Sequence, residues 1–297
     1  MADTDWAFAQ YERVRRRLPK AEAMGAAQRV ANLGALLDEF DVFLLDAFGV
    51  LNVGNTPIAG APEQVAALQA AGKKVMVLTN GAGFPASVSL AKYRSFGFNF
   101  SAENVISSRD ILAAHIATLP PMHWAAMAPE GAQLETLGIE ATMLADDREP
   151  YTTAEGFLLI GSGNWSENRQ QLLQNALLSS PRPVLVGNPD LVAPRETDLS
   201  LEPGWFAHEL ARNTPAEPEF FGKPFGGIFT EAKRRFGDVP AHRVAMVGDT
   251  LHTDILGGAA AGFRTVLIEN HGLFAGRDVA DFIKKSGITP DFIAPTT

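Results

Sequence analysis

The stretch FLLDAFGVLNVG, from Phe43 to Gly54, contains an apolar run that ends in an acid. The apolar residues lead directly into Asp46, and Phe48 follows two positions later. A short run of this kind favours a buried strand, and a carboxylate at the tip of a strand is a candidate nucleophile. The stretch therefore predicts both an α/β fold and a reactive edge of its sheet.

Beyond Asp41, short apolar runs alternate with helix-like segments. The runs are rich in Val, Leu and Ile, and they are DVFLLD, KKVMVLTN, GFLLIGSG, RPVLVGN, RVAMVGD and RTVLIEN. Segments such as APEQVAALQAAG, SVSLAKYRSFG and FTEAKRRFG lie between them. This alternation predicts βαβ units and a parallel sheet with helices on both faces. Ligands of such sheets bind at the carboxyl ends of the strands.

Composition excludes several classes of protein. The 297 residues carry a formal net charge of -9, which argues against a nucleic-acid or membrane partner because both favour a basic patch. No cysteine is present, so a thiol nucleophile, a thiolate metal site and a disulfide framework are excluded. No run approaches the roughly 18 apolar residues of a membrane span, and no signal-peptide pattern is present. We therefore expect a cytoplasmic protein.

Three regions are predicted along the chain. Residues 1–40 form a helical extension, with amphipathic spacing in FAQYERVRRRL and RVANLGALLDEF. Residues 109–218 contain their own strands and helices and end within a Pro-rich segment, NTPAEPEFFGKP, that has the composition of a linker. Residues 41–108 and 219–297 then form the main domain, into which the middle region is inserted.

Several polar residues follow the predicted strands. They are Asp46, Thr79, Asn80, Lys223, Asp249 and Asp254. Each alone is better explained as a cap, a turn residue or a surface charge than as a functional group. Together they form a coherent phosphate site, because Mg²⁺ bridging a carboxylate and a phosphate would remove the repulsion between them.

The remaining residues of this set fit the same site. Asp249 offers a second hard oxygen ligand, and Asp254 binds the ion through water or orients its neighbours. Lys223 can neutralise the remaining charge. Thr79 and the backbone N–H groups that follow it can hold phosphate oxygens.

The ordered set of Asp46, Thr79, Lys223 and GDTLHTD resembles the four motifs of the haloacid dehalogenase superfamily of phosphohydrolases. The resemblance is closest to the class IIA members, the nitrophenylphosphatase and sugar-phosphatase-like branch. It extends over nearly the whole chain from Asp41 and includes the segments TNGAG, VGNPD, PGW, GKP and GDTLHTDILGGAAAGF.

The resemblance implies a Rossmann-like parallel-sheet core with an inserted α/β cap of the C2 type. It also implies Mg²⁺-dependent hydrolysis of a small, sugar-phosphate-like metabolite, with Asp46 as the nucleophile of an aspartyl-phosphate intermediate and Lys223 as a second catalytic residue. The implied Mg²⁺ ligands are Asp46, the backbone carbonyl of Phe48, Asp249 and Asp254. The class also allows a homodimer formed through the cap.

Substrate contacts are implied on both sides of a cleft. The implied phosphate-binding and substrate-binding residues are Thr79, Asn80, Gly81, Lys223, Asn188 and Asp190. Arg195 and His208 are further cap candidates, although His208 in WFAHEL is equally well explained as a solvated helix residue.

Phe48 departs from the pattern of the superfamily, whose phosphatases have a second aspartate there to protonate the leaving oxygen. Such acid–base help is typically worth about 10²–10⁴ in rate. Three interpretations follow. The protein is a phosphohydrolase that is slow, is specialised for leaving groups that need no proton, or takes its acid from elsewhere. Alternatively, it is a dehalogenase-type hydrolase, since DAFG is similar to the DAYG of 2-haloacid dehalogenases, or a non-catalytic protein that binds a phosphorylated ligand or a protein partner.

Overall fold

The computed structural model of the protein describes residues 3–21, 25–195 and 198–297. In chain order, its strands are β1 (Gln28–Arg29), β2 (Val42–Leu45), β3 (Asn52–Val53), β4 (Thr56–Pro57), β5 (Lys74–Thr79), β6 (Val105–Ser107), β7 (Trp124–Met127), β8 (Ala141–Met143), β9 (Gly156–Leu159), β10 (Val184–Val186), β11 (Val192–Pro194), β12 (Leu199–Leu201), β13 (Glu219–Phe220), β14 (Val244–Gly248), β15 (Arg264–Ile268) and β16 (Phe292–Ala294).

The helices of the described chain alternate with these strands. They are α1 (Thr4–Val14), α2 (Ala61–Ala70), α3 (Ala86–Ser95), α4 (Ser108–Ile116), α5 (Glu149–Thr153), α6 (Glu167–Ser179), α7 (Pro203–Asn213), α8 (Gly226–Phe236), α9 (Leu256–Ala260) and α10 (Val279–Ser286). Each of the six apolar runs contains one of these strands, and each of the three helix-like segments overlaps one of these helices, as predicted.

The main sheet is parallel and has the strand order β1-β16-β15-β14-β2-β5-β6. All four residues of β2 are buried, because hydrophobic clusters pack on both faces of the sheet. A strand covered on both faces is continuously apolar rather than alternating, which is why the run before Asp46 contains no polar residue. The predicted α/β core is confirmed.

A second parallel sheet lies in the inserted region and has the order β13-β10-β9-β7-β8. We call this sheet with its helices the cap. A separate cluster of buried apolar side chains, which includes Phe157 and Leu173, packs between the sheet and its helices. Strand β13 belongs to this sheet, although the predicted boundary between the domains, at residue 218, precedes it.

The second half of the N-terminal extension differs from the sequence prediction. A helix over RVANLGALLDEF is wrong, because β1 instead pairs with β16 at the edge of the main sheet and a 3₁₀ turn spans Leu33–Leu36. That turn buries Leu33 and Leu36 in the main core. The same two leucines belong to the amphipathic pattern from which the sequence predicts a helix. Gly34 within the segment disfavours a longer helix, and pairing with β16 supplies backbone hydrogen bonds instead.

The first helix, α1, is confirmed and contacts both the main domain and the cap. On the main domain, Glu12 Oε1 lies 2.6 Å from His252 Nε2. On the cap, Trp6 packs against Trp205 with 5.0 Å between ring centroids, and the Leu191 N–H donates to the Tyr11 hydroxyl at 3.1 Å. The extension is therefore integrated into the fold and spans the junction between its two parts.

Replacing Phe8 should show that α1 contributes to global stability. The Phe8 ring is buried and packs edge-on against Phe282 and His252. Removing such a ring leaves a cavity, so we expect Phe8→Ala to lower the free energy of unfolding by about 3 kcal/mol in chemical denaturation. Leu178→Ala, a change on an exposed side chain, is the matched control and should have little effect. A Phe8→Ala variant as stable as the control would show that α1 is dispensable for folding.

No helix within the described ranges combines the length and the apolar character needed to cross a membrane.

Candidate functional site

The candidate site lies where three neighbouring strands end. Asp46 directly follows β2, Thr79 ends β5, and Asp249 directly follows β14. Strand β2 lies between β14 and β5, so parallel pairing brings the three side chains to one edge of the sheet. The Asp46 N–H donates to the Val247 carbonyl at 2.9 Å, which extends the ladder to the nucleophile position. Fold topology alone thus gathers residues that lie far apart in the sequence.

Lys223 is buried beneath this edge between two carboxylates. Its ammonium lies 2.5 Å from Asp46 Oδ1 and 2.7 Å from Asp254 Oδ1. Burial alone would lower the pKa of Lys223, but the carboxylates of Asp254 and Asp46 raise it above its usual value. The lysine is therefore a fixed positive charge beside the Asp46 carboxylate.

Asn80 holds the backbone of Lys223 in place. Its side-chain oxygen accepts a hydrogen bond from the Lys223 N–H at 2.7 Å, and its amide nitrogen donates to the Lys223 carbonyl at 2.8 Å. The same nitrogen donates to Asp190 Oδ1 at 2.8 Å. The Asn80 side chain thus links the sheet edge, the lysine and the cap. It positions Lys223, a role that the sequence does not indicate.

Three carboxylates form a cluster at the same edge. One oxygen each from Asp46, Asp249 and Asp254 lies within 4.8 Å of the other two. Asp249 is fixed by the Leu273 N–H at 2.7 Å and the Thr250 hydroxyl at 2.9 Å, and Asp254 accepts from the Thr250 N–H at 3.1 Å. Hard oxygen donors at this spacing fit a divalent cation such as Mg²⁺.

Glycine is required around Asp249. A Cβ on Gly49 would lie 2.6 Å from the Asp249 side chain, and one on Gly272 would lie 1.9 Å from Asp249 Oδ2. Both glycines also have positive φ, of 77° and 76°. The carboxylate is therefore enclosed by backbone on two sides, which restricts its orientation.

Burial makes this cluster costly to ionise in the absence of a cation. It raises the pKa of Asp46 to about 7, although the Lys223 charge opposes that shift. It also raises the pKa of Asp249 well above its usual range, and the neighbouring charges of Asp254 and Asp46 add to the effect. A bound cation would reverse this balance by favouring the charged carboxylates.

A cavity of about 460 Å³ opens above the sheet edge, between the main domain and the cap. It brings together the predicted site residues Asp46, Phe48, Thr79, Asn80, Gly81, Asn188, Asp190 and Asp249. Lys223 and Asp254 are buried beneath it. The Gly81 N–H donates to the Thr79 hydroxyl at 3.1 Å, which shapes the turn at the end of β5.

A hydrogen-bonded polar group lies on the cap side of the cavity, among largely apolar lining residues. Asn188 accepts from the Asp190 N–H at 3.0 Å and donates to Glu202 Oε2 at 3.1 Å. Burial raises the pKa of Asp190 to about 7, while the Lys223 charge and the Asn80 hydrogen bond oppose the shift. Burial likewise raises the pKa of Glu202. Sequence pattern does not point to Glu202, because this residue lies before α7 with no motif to distinguish it from a helix-capping acid.

His208 does not reach the cavity. Its ring is buried inside the cap and stacks on Phe220 at 4.7 Å between centroids, so neither a cleft position nor a solvated helix face describes it. Burial lowers the pKa of His208 to about 4. This candidate is corrected to a packing residue, since α7 turns that face toward the cap sheet.

The pKa of Asp190 predicts how stability depends on pH in chelator-treated protein. Because its pKa is raised on folding, the native state binds more protons than the unfolded state between about pH 4 and pH 7. Its contribution to the free energy of unfolding should be fully present below pH 4 and lost as the pH rises to about 7. Denaturation curves at pH 5 and pH 8 should therefore show that Asp190→Asn loses less of its free energy of unfolding between the two pH values than the wild type does. An equal loss in both would contradict the assignment, and the exposed Asp147→Asn is the control.

Comparisons with known proteins match most of the chain to hydrolases of one superfamily. Residues 43–140 match a family model described as haloacid dehalogenase-like hydrolase, and residues 220–296 match a second hydrolase-like model of the same superfamily. The glycerol-3-phosphate phosphatase of Gallus gallus is 30% identical over 282 residues, covering 87% of this chain and 90% of the relative. Phosphoglycolate phosphatase 1A of Arabidopsis thaliana is 26% identical, covering 82% of this chain and 72% of the relative.

The fold comparison agrees with these relatives. A possible sugar phosphatase from Cytophaga hutchinsonii superposes with a TM-score of 0.78 at 26% identity, covering 91% of this chain and 98% of that structure. The prediction of a hydrolase with an α/β core and an inserted cap is confirmed. By its matched models, its 30% identical relative and its fold, this chain belongs to the haloacid dehalogenase superfamily of hydrolases.

Proposed function

We propose that the protein is a Mg²⁺-dependent phosphohydrolase of the class IIA branch that acts on a small phosphorylated metabolite. The observation that carries this proposal is the Asp46 carboxylate, which lines the cavity, contacts the buried Lys223 ammonium at 2.5 Å and belongs to a cluster of three carboxylates. The relatives named as phosphatases support the same reaction class.

The carboxylate cluster fits the ion that such a reaction uses. Asp46, Asp249, Asp254 and the backbone carbonyl of Phe48 would hold Mg²⁺, with Asp254 acting directly or through water. When bound, the ion would offset the negative charge of the phosphate and of the carboxylates around it. This assignment also accounts for a buried acidic cluster that Lys223 alone does not balance.

The chemical steps are carried out by residues of the chain. An Asp46 oxygen attacks phosphorus, the bond from phosphorus to the leaving oxygen breaks, and an aspartyl phosphate forms. Lys223 offsets charge at the phosphoryl group, and the Thr79 hydroxyl with the N–H groups near Gly81 binds its oxygens. Water then attacks phosphorus, the bond from phosphorus to the Asp46 oxygen breaks, and phosphate and a proton are released to solvent, which restores the Asp46 carboxylate. Asn80 positions Lys223 throughout.

Phe48 determines which leaving groups this arrangement can serve. Its ring lines the cavity and cannot donate a proton, so leaving groups of low basicity should react best. The assembled carboxylate cluster disfavours the dehalogenase alternative, which needs no metal ion. A non-catalytic protein that binds a phosphorylated ligand is the second candidate, and the missing acid is the observation that favours it.

Phosphate release from acetyl phosphate and p-nitrophenyl phosphate tests the proposal, because both leaving groups depart with little or no protonation. We expect release in Mg²⁺ and at least about a hundredfold less after chelation, since the ion supplies two positive charges beside the phosphate and the carboxylates. Readdition of Mg²⁺ should restore the rate. Ligand binding without release would support the non-catalytic candidate, and halide release from a 2-haloacid in chelator would support the dehalogenase.

A further inference from the structure

Two cations lie beside the ring of Phe48. The Lys92 ammonium is 5.1 Å from the ring centroid, and the Arg195 guanidinium carbon is 5.6 Å from it. Both separations are within the range of cation–π attraction. Phe48 therefore stands where phosphatases of this superfamily have a proton-donating aspartate, and its ring attracts positive charge instead. One of the two cations beside it, Arg195, belongs to the cap.

Arg195 is held by a chain of polar contacts rather than by the ring alone. Its Nε donates to Ser200 Oγ at 2.9 Å, and its Nη2 donates to Glu202 Oε1 at 2.9 Å. Glu202 is buried and also accepts from Ser200 at 2.6 Å and from Asn188 at 3.1 Å. These contacts fix one edge of the guanidinium plane. Among the described residues, Nη1 has no hydrogen-bond partner.

The charge distribution in the cavity gives Arg195 a distinct position. Of the described residues that line the cavity, Arg195 is the only lysine or arginine, whereas Asp46, Asp190, Glu202 and Asp249 are acidic. Lys223 lies beneath the floor and is already paired with two carboxylates. Arg195 pairs with Glu202 through Nη2, so a second anionic group on a substrate would find its cationic partner, among the described lining residues, on the Nη1 side of Arg195.

We propose that Arg195, supported by the Phe48 ring, is a specificity-determining residue that binds a carboxylate on the leaving portion of the substrate. This assignment rests on the proposed phosphohydrolase function. An arginine fork matches the two oxygens of a carboxylate, and a guanidinium group stays charged in proteins. A carboxylate adds a single charge to an already acidic cavity, which suits one guanidinium better than a dianionic phosphoryl group does.

A matched pair of substrates tests the proposal in the full chain with Mg²⁺. The first is 2-phosphoglycolate, which has a carboxylate. The second is 2-hydroxyethyl phosphate, which has a neutral hydroxymethyl group in the same place. We expect the wild type to favour 2-phosphoglycolate in kcat/KM by at least about tenfold. Arg195→Met should remove most of that preference, and Arg195→Lys should retain part of it. Phe48→Leu, which keeps an apolar side chain without the aromatic ring, should reduce the preference about two- to fivefold.

Arg212→Met is the matched control. Arg212 is a cap arginine that pairs with Glu209 outside the cavity, so its substitution should leave the substrate ratio unchanged. Acetyl phosphate is assayed beside the pair with every variant. Three results would overturn the Arg195 assignment and leave the phosphohydrolase standing. They are turnover of acetyl phosphate with no measurable turnover of 2-phosphoglycolate, turnover with no preference for 2-phosphoglycolate, and a preference that survives Arg195→Met. No turnover of any of the three substrates would instead refute the phosphohydrolase and this assignment with it.

Discussion

Asp46→Asn should abolish phosphate release while the protein remains folded. The amide keeps the size of the carboxylate but has no charge, so it is a poor nucleophile toward phosphorus. Loss of a nucleophile from a working set of catalytic groups typically removes most of the rate enhancement, and we expect more than about a 10³-fold fall in kcat. Release of phosphate from acetyl phosphate in saturating Mg²⁺ is the measurement.

The same variant should be at least as stable as the wild type. Asp46 is costly to ionise beside Asp254 and Asp190, although it does offset Lys223. Denaturation curves would therefore separate a catalytic loss from unfolding. Asp147→Asn, an exposed substitution in the cap, is the control for handling and contamination. Activity near the wild-type level in folded Asp46→Asn would refute the nucleophile assignment.

Phe48→Asp should increase hydrolysis of alkyl phosphates, whose leaving oxygens need a proton. A correctly placed acid is worth about 10²–10⁴ in rate. The two cations near position 48 favour the ionised form of a new carboxyl group, and they would hold its pKa low. We therefore expect an increase at the lower end, about 10² in kcat for glycerol phosphate, and a much smaller change for acetyl phosphate.

Phe84→Asp provides the matched control for this gain. Phe84 also lines the cavity, but it is 41% exposed and lies in the segment after β5, whereas Asp46 follows β2. It should not produce an increase that depends on the leaving group. A folded Phe48→Asp variant with no gain on glycerol phosphate would show that protonation of the leaving group is not what limits the rate.

The sequence predicted the sheet edge well because its signals are local. A buried parallel strand has to be apolar along its whole length, so a polar residue such as Asp46, Thr79 or Asp249 stands out where the strand ends. Short strands such as β8 and β16 were missed, since runs of three residues do not carry a distinct pattern.

Other contacts depend on tertiary packing and could not be predicted from local pattern. The Asn80 side chain bonds to the Lys223 backbone across more than a hundred intervening residues, and no periodicity in either segment indicates this. The place of α1 against the cap depends on Trp6 meeting Trp205, two residues that a sequence pattern shows only as separate apolar positions. His208 was misplaced for the same reason, because its helix turns inward.

The most direct test of the account is to identify the phosphorylated residue. The protein is mixed with radiolabelled acetyl phosphate and Mg²⁺, quenched in acid within milliseconds and mapped by peptide mass spectrometry. Covalent catalysis by Asp46 predicts a transient phosphoryl group on this residue. The group should form and disappear at least as fast as phosphate is released, and it should be absent from Asp46→Asn. Phosphate release with no labelled protein at any time, or a label on a different residue, would contradict it.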